Sequence, residues 1–450
     1  MVINVLPLVL GVVLLAAFAF DKLLYLVVFF TPLSLPLSEI TSGLAFNMFL
    51  PTEPLLFGVL LIFILKWFAS GKFDREILTH PVSLAIGVGL FWLLLTTLTS
   101  TLPVVSLKFL LSRIWFVVGF YLLAVKLFES GKNVGKYIWL YTVALLIVIF
   151  YSTWRLYGYG LWNKQAAHFV VSPFYNDHTA YGAVIAMYLP FLFGFSFSGI
   201  YSSGIRKLSW IVLGLLLMGL ILSYARAAWV SVVAAMGVWL VIRMKIRFKP
   251  LFFTFLILIS LLLVFQNQIL MYLERNNTES SSNLAEHISS ISNISSDASN
   301  LERLNRWSCA IRMFEDKPLL GWGPGTYMFN YAPYQLTADR TIISTNSADG
   351  GNAHSEYLGP MAESGFMGLV TFLALIGIVV YTAVRTYSRT EDKRLKTIVL
   401  CALLGLVTYY VHGILNNFLD TDKLSLPFWG FTAIIVAADI HTRKVCRGNV

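Results

Sequence analysis

His354 is the residue in this chain best placed to move a proton. It stands in Asn352-Ala353-His354-Ser355-Glu356-Tyr357-Leu358, where a long hydrophilic stretch gives way to an apolar run. An imidazole titrates near neutral pH and can take the proton of a hydroxyl. The competing reading is an interfacial histidine bonded to a carbonyl. The other histidines are less suited. His80 and His441 fall among basic loops, His287 lies in a Ser-rich stretch, and His412 lies inside a late apolar run. His168 and His178 stand on the same side as His354 and remain secondary candidates, His178 as a contact for a sugar or an acceptor.

Arginines come next. Arg226 lies in Ser223-Tyr224-Ala225-Arg226-Ala227-Ala228-Trp229, at the tip of a tight helical hairpin. An arginine beside hydrocarbon is costly and points to function. Arg303 and Arg306, three residues apart on a predicted helix, share nearly one face. Together the three could hold a diphosphate, because a guanidinium meets phosphate oxygens through two parallel bonds. The alternative for Arg303 and Arg306 is a solvated helix face pairing with Glu302 or Asp316. Gly321-Trp322-Gly323-Pro324-Gly325 has no strand before it and reads as a turn rather than a nucleotide loop. No His-Glu-x-x-His motif or Cys/His cluster is present, and Asp420 with Asp422 is the single carboxylate pair that competes. No metal and no cofactor are therefore expected, and arginines take the place of a cation. Trp322, Tyr327, Phe329, Tyr331 and Tyr334 suit stacking on sugar rings, Trp322 and Tyr327 foremost, or else anchoring at a membrane interface.

Composition says what positions these groups. The 450 residues are 57% hydrophobic and only 12% charged, against roughly 25% charged in soluble domains. That excludes an ordinary cytosolic enzyme, a disordered chain and a fibrous repeat. Apolar segments of about 20 residues recur along nearly the whole length, the mark of a polytopic membrane protein. They fall at 5–20, 23–37, 53–67, 81–100, 105–128, 135–155, 178–199, 207–223, 226–243, 250–267, 358–385, 395–415 and 425–441. An all-α fold of about 12 (11–13) transmembrane helices follows. The first segment lacks a polar cleavage region after it and reads as an uncleaved span. Cys309, Cys401 and Cys446 form no disulfide framework or zinc pattern.

The net charge of +10 is a topology signal. Short loops on one side hold Lys66, Lys72 and Arg75; Lys126, Lys132 and Lys136; Arg206 and Lys207; Arg243 to Lys249; and Arg385 to Lys396. With the tail, these are about 20 of the 33 basic residues, and the positive-inside rule places them in the cytoplasm. They are not a nucleic-acid surface, and anionic membrane lipids are the expected neighbours. The chain divides into an N-terminal bundle at 1–267, an external loop at 268–357, and C-terminal helices with a cytoplasmic tail at 358–450. The loop begins with a Ser- and Asn-rich linker from Glu279 to Asn300. An amphipathic helix over 301–315 follows, with Leu304, Trp307, Ile311 and Phe314 as its apolar stripe. Lys317-Pro318 ends it.

These motifs together resemble the bacterial O-antigen ligase and O-antigen polymerase family of integral membrane glycosyltransferases. The resemblance rests on Arg303 four residues before Trp307, the run from Glu315 to Gly323, His354 ahead of Tyr357-Leu358, and Glu363-Ser364-Gly365. Ser223 to Trp229 resembles the family's Ser-Arg element. Two departures stand out: Ser355 where the family often has Asn, and two residues between Ser223 and Arg226. The match covers about half the chain. It implies a GT-C-like enzyme that moves a glycan from an undecaprenyl-diphosphate carrier to an acceptor hydroxyl on the periplasmic face of the inner membrane. The acceptor would be lipid A-core, a protein or a lipid-linked glycan. On that resemblance His354 is the general base and Arg226 and Arg303, with Arg306, hold the diphosphate. The reaction would be metal-independent and would invert the anomeric centre.

A lipid-linked oligosaccharide flippase is the rival from another class. It needs charges along a cavity at mid-membrane, and Lys108 and Arg113 are the few on offer. A cell-wall scaffold would leave His354 and Arg226 without a purpose. Within the family, ligase is preferred to polymerase by a small margin.

Overall fold

Apolar runs leave backbone amides no partner in hydrocarbon except one another, so they fold as helices. The computed structural model describes residues 20–39, 48–70, 74–129, 131, 133–245, 260, 301–337, 340, 344 and 351–448. The spans expected at 5–20 and 250–267 lie outside these, but for Phe20 and Ser260, as does the Ser/Asn-rich linker with His287. Among the described residues ten helices are long and apolar enough to cross a membrane. In chain order the long helices are α1 (Phe20–Phe30), α2 (Thr52–Ser70), α3 (Pro81–Leu98), α4 (Pro103–Val117), α5 (Val134–Tyr159), α6 (His178–Phe197), α7 (Ser203–Leu222) and α8 (Arg226–Arg243). A helix over 301–316 is α9. Then come α10 (Leu358–Arg389), α11 (Lys393–His412) and α12 (Asp422–Cys446). A π-turn at Val118–Leu122 carries α4 on to Phe128. The chain is an all-α polytopic membrane protein, as expected.

The segment 23–37 departs from expectation. Its helix, α1, stops at Phe30, and Thr31–Leu33 tightens into a 3₁₀ turn with Pro32 in its first turn. Leu35–Pro36 then pairs antiparallel with Phe49–Leu50. Prolines at 32 and 36 remove the amides that a continuing helix would use.

Helix α12 is the axis of the bundle, with 94% of its apolar window buried against α4, α6, α10 and α11. Pro427 lacks the N–H that would bond the Lys423 carbonyl one turn back. Tyr141 on α5 supplies that bond, its hydroxyl donating to Lys423 O at 2.8 Å. Tyr137 O–H adds a bond to Leu426 O at 3.0 Å, and Gly430 leaves room for the Tyr137 ring.

At one end His80 caps α3, its Nδ1 accepting from Val82 N, while Nε2 meets Asp439 at 3.1 Å. Thr386 and Arg443 bind the same carboxylate, and Lys444 reaches Glu76 at 2.8 Å. This is the end that carries the basic loops. The opposite end gathers the turn after α7, the start of α6, α9, residues 351–357 and the linker after α11.

Candidate active site

The site is built on the turn between α7 and α8. Ser223 O–H donates to Leu220 O at 2.7 Å, and its oxygen accepts from Ala225 N at 3.2 Å. Tyr224 takes a left-handed backbone, φ 52°, and α8 restarts at Arg226. Gly182 on α6 lets this turn approach; a Cβ there would stand 2.5 Å from that of Ala225. Ser223 is buried and bonded within the turn, so the serine of this element shapes the backbone while the exposed Arg226 projects from it.

Asp177 caps α6, and its Oδ1 accepts from Thr179 N at 2.9 Å and lies 2.9 Å from His178 Nδ1. Burial works against the Asp177 charge, but the bonds from His178 and Thr179 outweigh it and hold the carboxyl well below the ordinary carboxylate range. The His168 ring stacks on that of His178 at 4.2 Å. His178 is thereby engaged by its neighbours on the rim.

Helix α9 brings Arg303, whose charge lies beside Asp177 and Arg226. Burial and the Arg226 charge lower its pKa. Arg306 does not join them. It is 4% exposed, with Nε 2.6 Å from Glu302 and its guanidinium 3.9 Å above the Tyr331 ring. The pairing of Arg306 with Glu302 is as the alternative reading had it, but it is buried and not on a solvated face. Arg303 faces the cleft, and Arg306 is locked inside the loop domain.

The buried face of α9 also differs from the expected one. Asn305, Arg306, Cys309, Ala310 and Met313 face inward, while Leu304 and Ile311 are more than two-fifths exposed. The inward polar groups are satisfied by one another: Asn305 donates to Gln335 at 3.0 Å, and Arg306 pairs with Glu302. Small Cys309 and Ala310 admit the Tyr327 and Tyr331 rings, which stack at 5.4 Å. Tyr327, 3% exposed, donates its hydroxyl to Arg306 O at 2.8 Å. Trp322 donates to Met313 O at 2.9 Å and lies under Lys317 at 4.0 Å. Tyr327 is thus buried away from any sugar, and Trp322, partly exposed, is tied to α9 and covered on one face by Lys317; both rings brace this segment.

The glycine-rich turn is also fixed from below. Gly323 N donates to Glu363 O at 2.8 Å, Tyr327 N to Glu363 Oε1 at 2.9 Å, and Phe366 N to Pro318 O at 2.8 Å. Gly365, at φ 69°, breaks α10 where a Cβ would stand 2.2 Å from Leu319 O. The runs around Gly321 and Glu363 are thus two halves of one joint.

His354 is fixed by contacts of its own. Its backbone is left-handed, φ 49°, held by His354 N donating to Asn352 Oδ1 at 3.0 Å and by Trp307 Nε1 donating to His354 O at 3.3 Å. Ser355 Oγ accepts from Tyr357 N and Leu358 N, both at 3.3 Å, starting α10. Burial pushes the His354 imidazole down to about 4, and the charges of Arg303 and Arg306 push the same way against Asp177 and Glu302. It is neutral at pH 7. His412, at the end of α11, lies within electrostatic reach of Asp177 and Arg303 and bonds Asn416 at 3.1 Å.

Arg303 and Asp177 therefore draw His354 and His412 into one electrostatic cluster from separate segments, with Arg226 beside Arg303. Sequence reasoning missed Asp177 and set aside His412. An Asp before a helix start signals a cap and nothing more, and a histidine in an apolar run reads as core. Asp422 is not available as half of a metal pair: Ser34 O–H donates to it at 2.7 Å, and Thr52 and Lys423 also engage it. Among the described residues no cluster of three or more His, Cys, Asp or Glu is arranged to hold a metal.

A neutral base beside two guanidinium groups suits proton removal next to a departing anion. A family model described as O-antigen ligase matches residues 211–373, which run from α7 through α9 and His354 into α10. No curated protein matches the chain.

Proposed function

With residues 211–373 placed in the O-antigen ligase family, we propose that this membrane protein transfers a glycan from an undecaprenyl-diphosphate carrier to an acceptor hydroxyl on the periplasmic face. The observation that supports this reading is that Arg303 lies within electrostatic reach of both His354 and Arg226.

His354 takes the proton of the acceptor hydroxyl. The oxygen attacks the anomeric carbon from the face opposite the diphosphate, the bond to the carrier breaks, and its electron pair leaves with the diphosphate. The anomeric centre inverts. Arg226 and Arg303 bind the diphosphate and meet the charge that grows on it, without a metal. Binding also tunes the base. Arg303 is one of the charges that depress His354, so a bound diphosphate offsets it and makes the imidazole more basic as the substrate arrives. Asp177 adds a negative charge that favours the imidazolium formed when the proton is taken. Arg306 serves by holding α9 in place.

The acceptor is read as lipid A-core or a protein, which makes the enzyme a ligase; a polymerase would use a lipid-linked repeat unit with the same machinery. The test is transfer by the purified protein in detergent, from an undecaprenyl-diphosphate glycan to lipid A-core. Labelled product supports the reading. Its absence, with translocation of the carrier in vesicles, supports a flippase instead.

A further inference from the structure

Two residues beyond His354, Glu356 buries a carboxylate, 6% exposed, that the chemistry above does not use. A single oxygen of it, Oε1, accepts from Tyr409 O–H at 2.5 Å, Phe418 N at 2.7 Å and Leu419 N at 2.9 Å. A buried carboxylate is costly unless donors surround it, and here every donor comes from α11 or the linker after it. The backbone repeats the attachment: Glu356 N donates to Gly413 O at 2.8 Å, and Tyr357 O–H donates to Tyr410 O at 2.9 Å. Gly413 keeps this contact close, since a Cβ there would stand 3.1 Å from Glu356 Cγ.

His354 thus has two anchors. Trp307 holds its carbonyl on the side of α9, and Glu356 holds the following residues on the side of α11. A left-handed backbone at a non-glycine residue relaxes when its surroundings loosen. We infer that Glu356 is a positioning residue, whose charge fastens the His354 turn to the 413–419 linker and keeps the imidazole in its water-poor seat. The inference rests on the proposed role of His354 as base.

The charges around both groups define the readout. His354 faces Arg303, Arg306 and Glu302 from α9 and Asp177 from α6. Glu356 faces Tyr357, Tyr409 and Asp420, and it lines with Arg113 a cavity of about 120 Å³ between α3, α4, α10 and α12. Arg113 also donates to Leu419 O at 3.0 Å, so it braces the same linker. Glu356→Gln removes the Glu356 charge, and with it part of what raises Asp420, and leaves the charges around His354 in place. Because burial is the largest cause of the low His354 value, loosening the turn raises it.

The experiment uses the full chain purified in detergent, with Glu356→Gln and the milder Tyr409→Phe. Affinity for the diphosphate donor stays within about twofold, since Arg226 and Arg303 are untouched, while turnover falls about tenfold or more, as for a displaced catalytic group. The acid limb of kcat/KM moves up by about one pH unit or more, toward the ordinary imidazole value. Tyr409→Phe, which removes one donor of three, shifts both in the same direction by less. Glu356→Asp restores part of the turnover. An unmoved acid limb, or equal damage to donor affinity and turnover in both variants, overturns the positioning role. His354→Ala, run beside them, separates the two claims: if it retains turnover, the base assignment itself is wrong.

Discussion

The Trp307 indole N–H donates to the His354 carbonyl at 3.3 Å, so the helix that carries Arg303 also fixes the backbone of His354. One rigid element sets both the proposed diphosphate-binding cation and the proposed proton acceptor. Four residues before Trp307, Arg303 lies one helical turn away on the same side. Trp307→Phe keeps the ring and loses the bond, worth roughly 0.5–1.5 kcal/mol. Turnover should fall by about threefold to tenfold, with donor affinity nearly unchanged, in a steady-state transfer assay.

The arginines divide into two kinds. Arg303→Ala and Arg226→Ala should weaken donor binding and cut turnover by roughly 10²–10³-fold, the usual effect of losing one donor to developing negative charge. Lysine should rescue only in part, because it cannot grip bidentately. Arg306→Met should act on the fold. Breaking a buried ion pair costs about 3–5 kcal/mol, visible as lower thermal stability, and Glu302→Gln should give a similar loss. A stable Arg306→Met with abolished donor binding would return Arg306 to the clamp.

The pH dependence follows from His354. With its pKa pushed down to about 4, the free enzyme keeps a neutral imidazole at pH 5.5, where an ordinary one would be only about a tenth neutral. The acid limb of kcat/KM should therefore lie well below 6.5, and that of kcat should lie higher, because the bound diphosphate offsets Arg303. The sign for stability is the same. The unfolded chain takes the proton first, so His354 contributes stability that is lost as pH falls from about 6.5 toward 4.

Asp177 offers a separate test. Asp177→Asn keeps the cap to Thr179 but removes the charge. Turnover should fall and the His354 acid limb should move down, since Asp177 raises the imidazole. Unchanged kinetics would confine Asp177 to capping α6.

Much of this was legible in the chain. Apolar length marked the described spans from Thr52 onward, and basic loops marked one end of the bundle. Arg226 stood out as a charge next to hydrocarbon, His354 as an imidazole where the loop meets an apolar run, and Arg303 through its spacing from Arg306 and Trp307. What stayed hidden depends on contacts across the fold. Asp177 reads locally as a helix cap, and its coupling to Arg303 and His354 exists only once α6 meets α9. Periodicity gave α9 the wrong buried face, because Glu302, Asn305 and Arg306 satisfy one another and can turn inward. Glu356 reads as a solvated residue until Tyr409 and the 418–419 amides close on it. The 23–37 segment was apolar enough for a span, and its prolines decided otherwise.

The central claim is that His354 is the base. Its most direct test is His354→Ala in purified form, measuring glycan transfer from an undecaprenyl-diphosphate donor together with donor affinity. Transfer should be abolished while the donor still binds through Arg226 and Arg303. Wild-type turnover by His354→Ala would contradict the account.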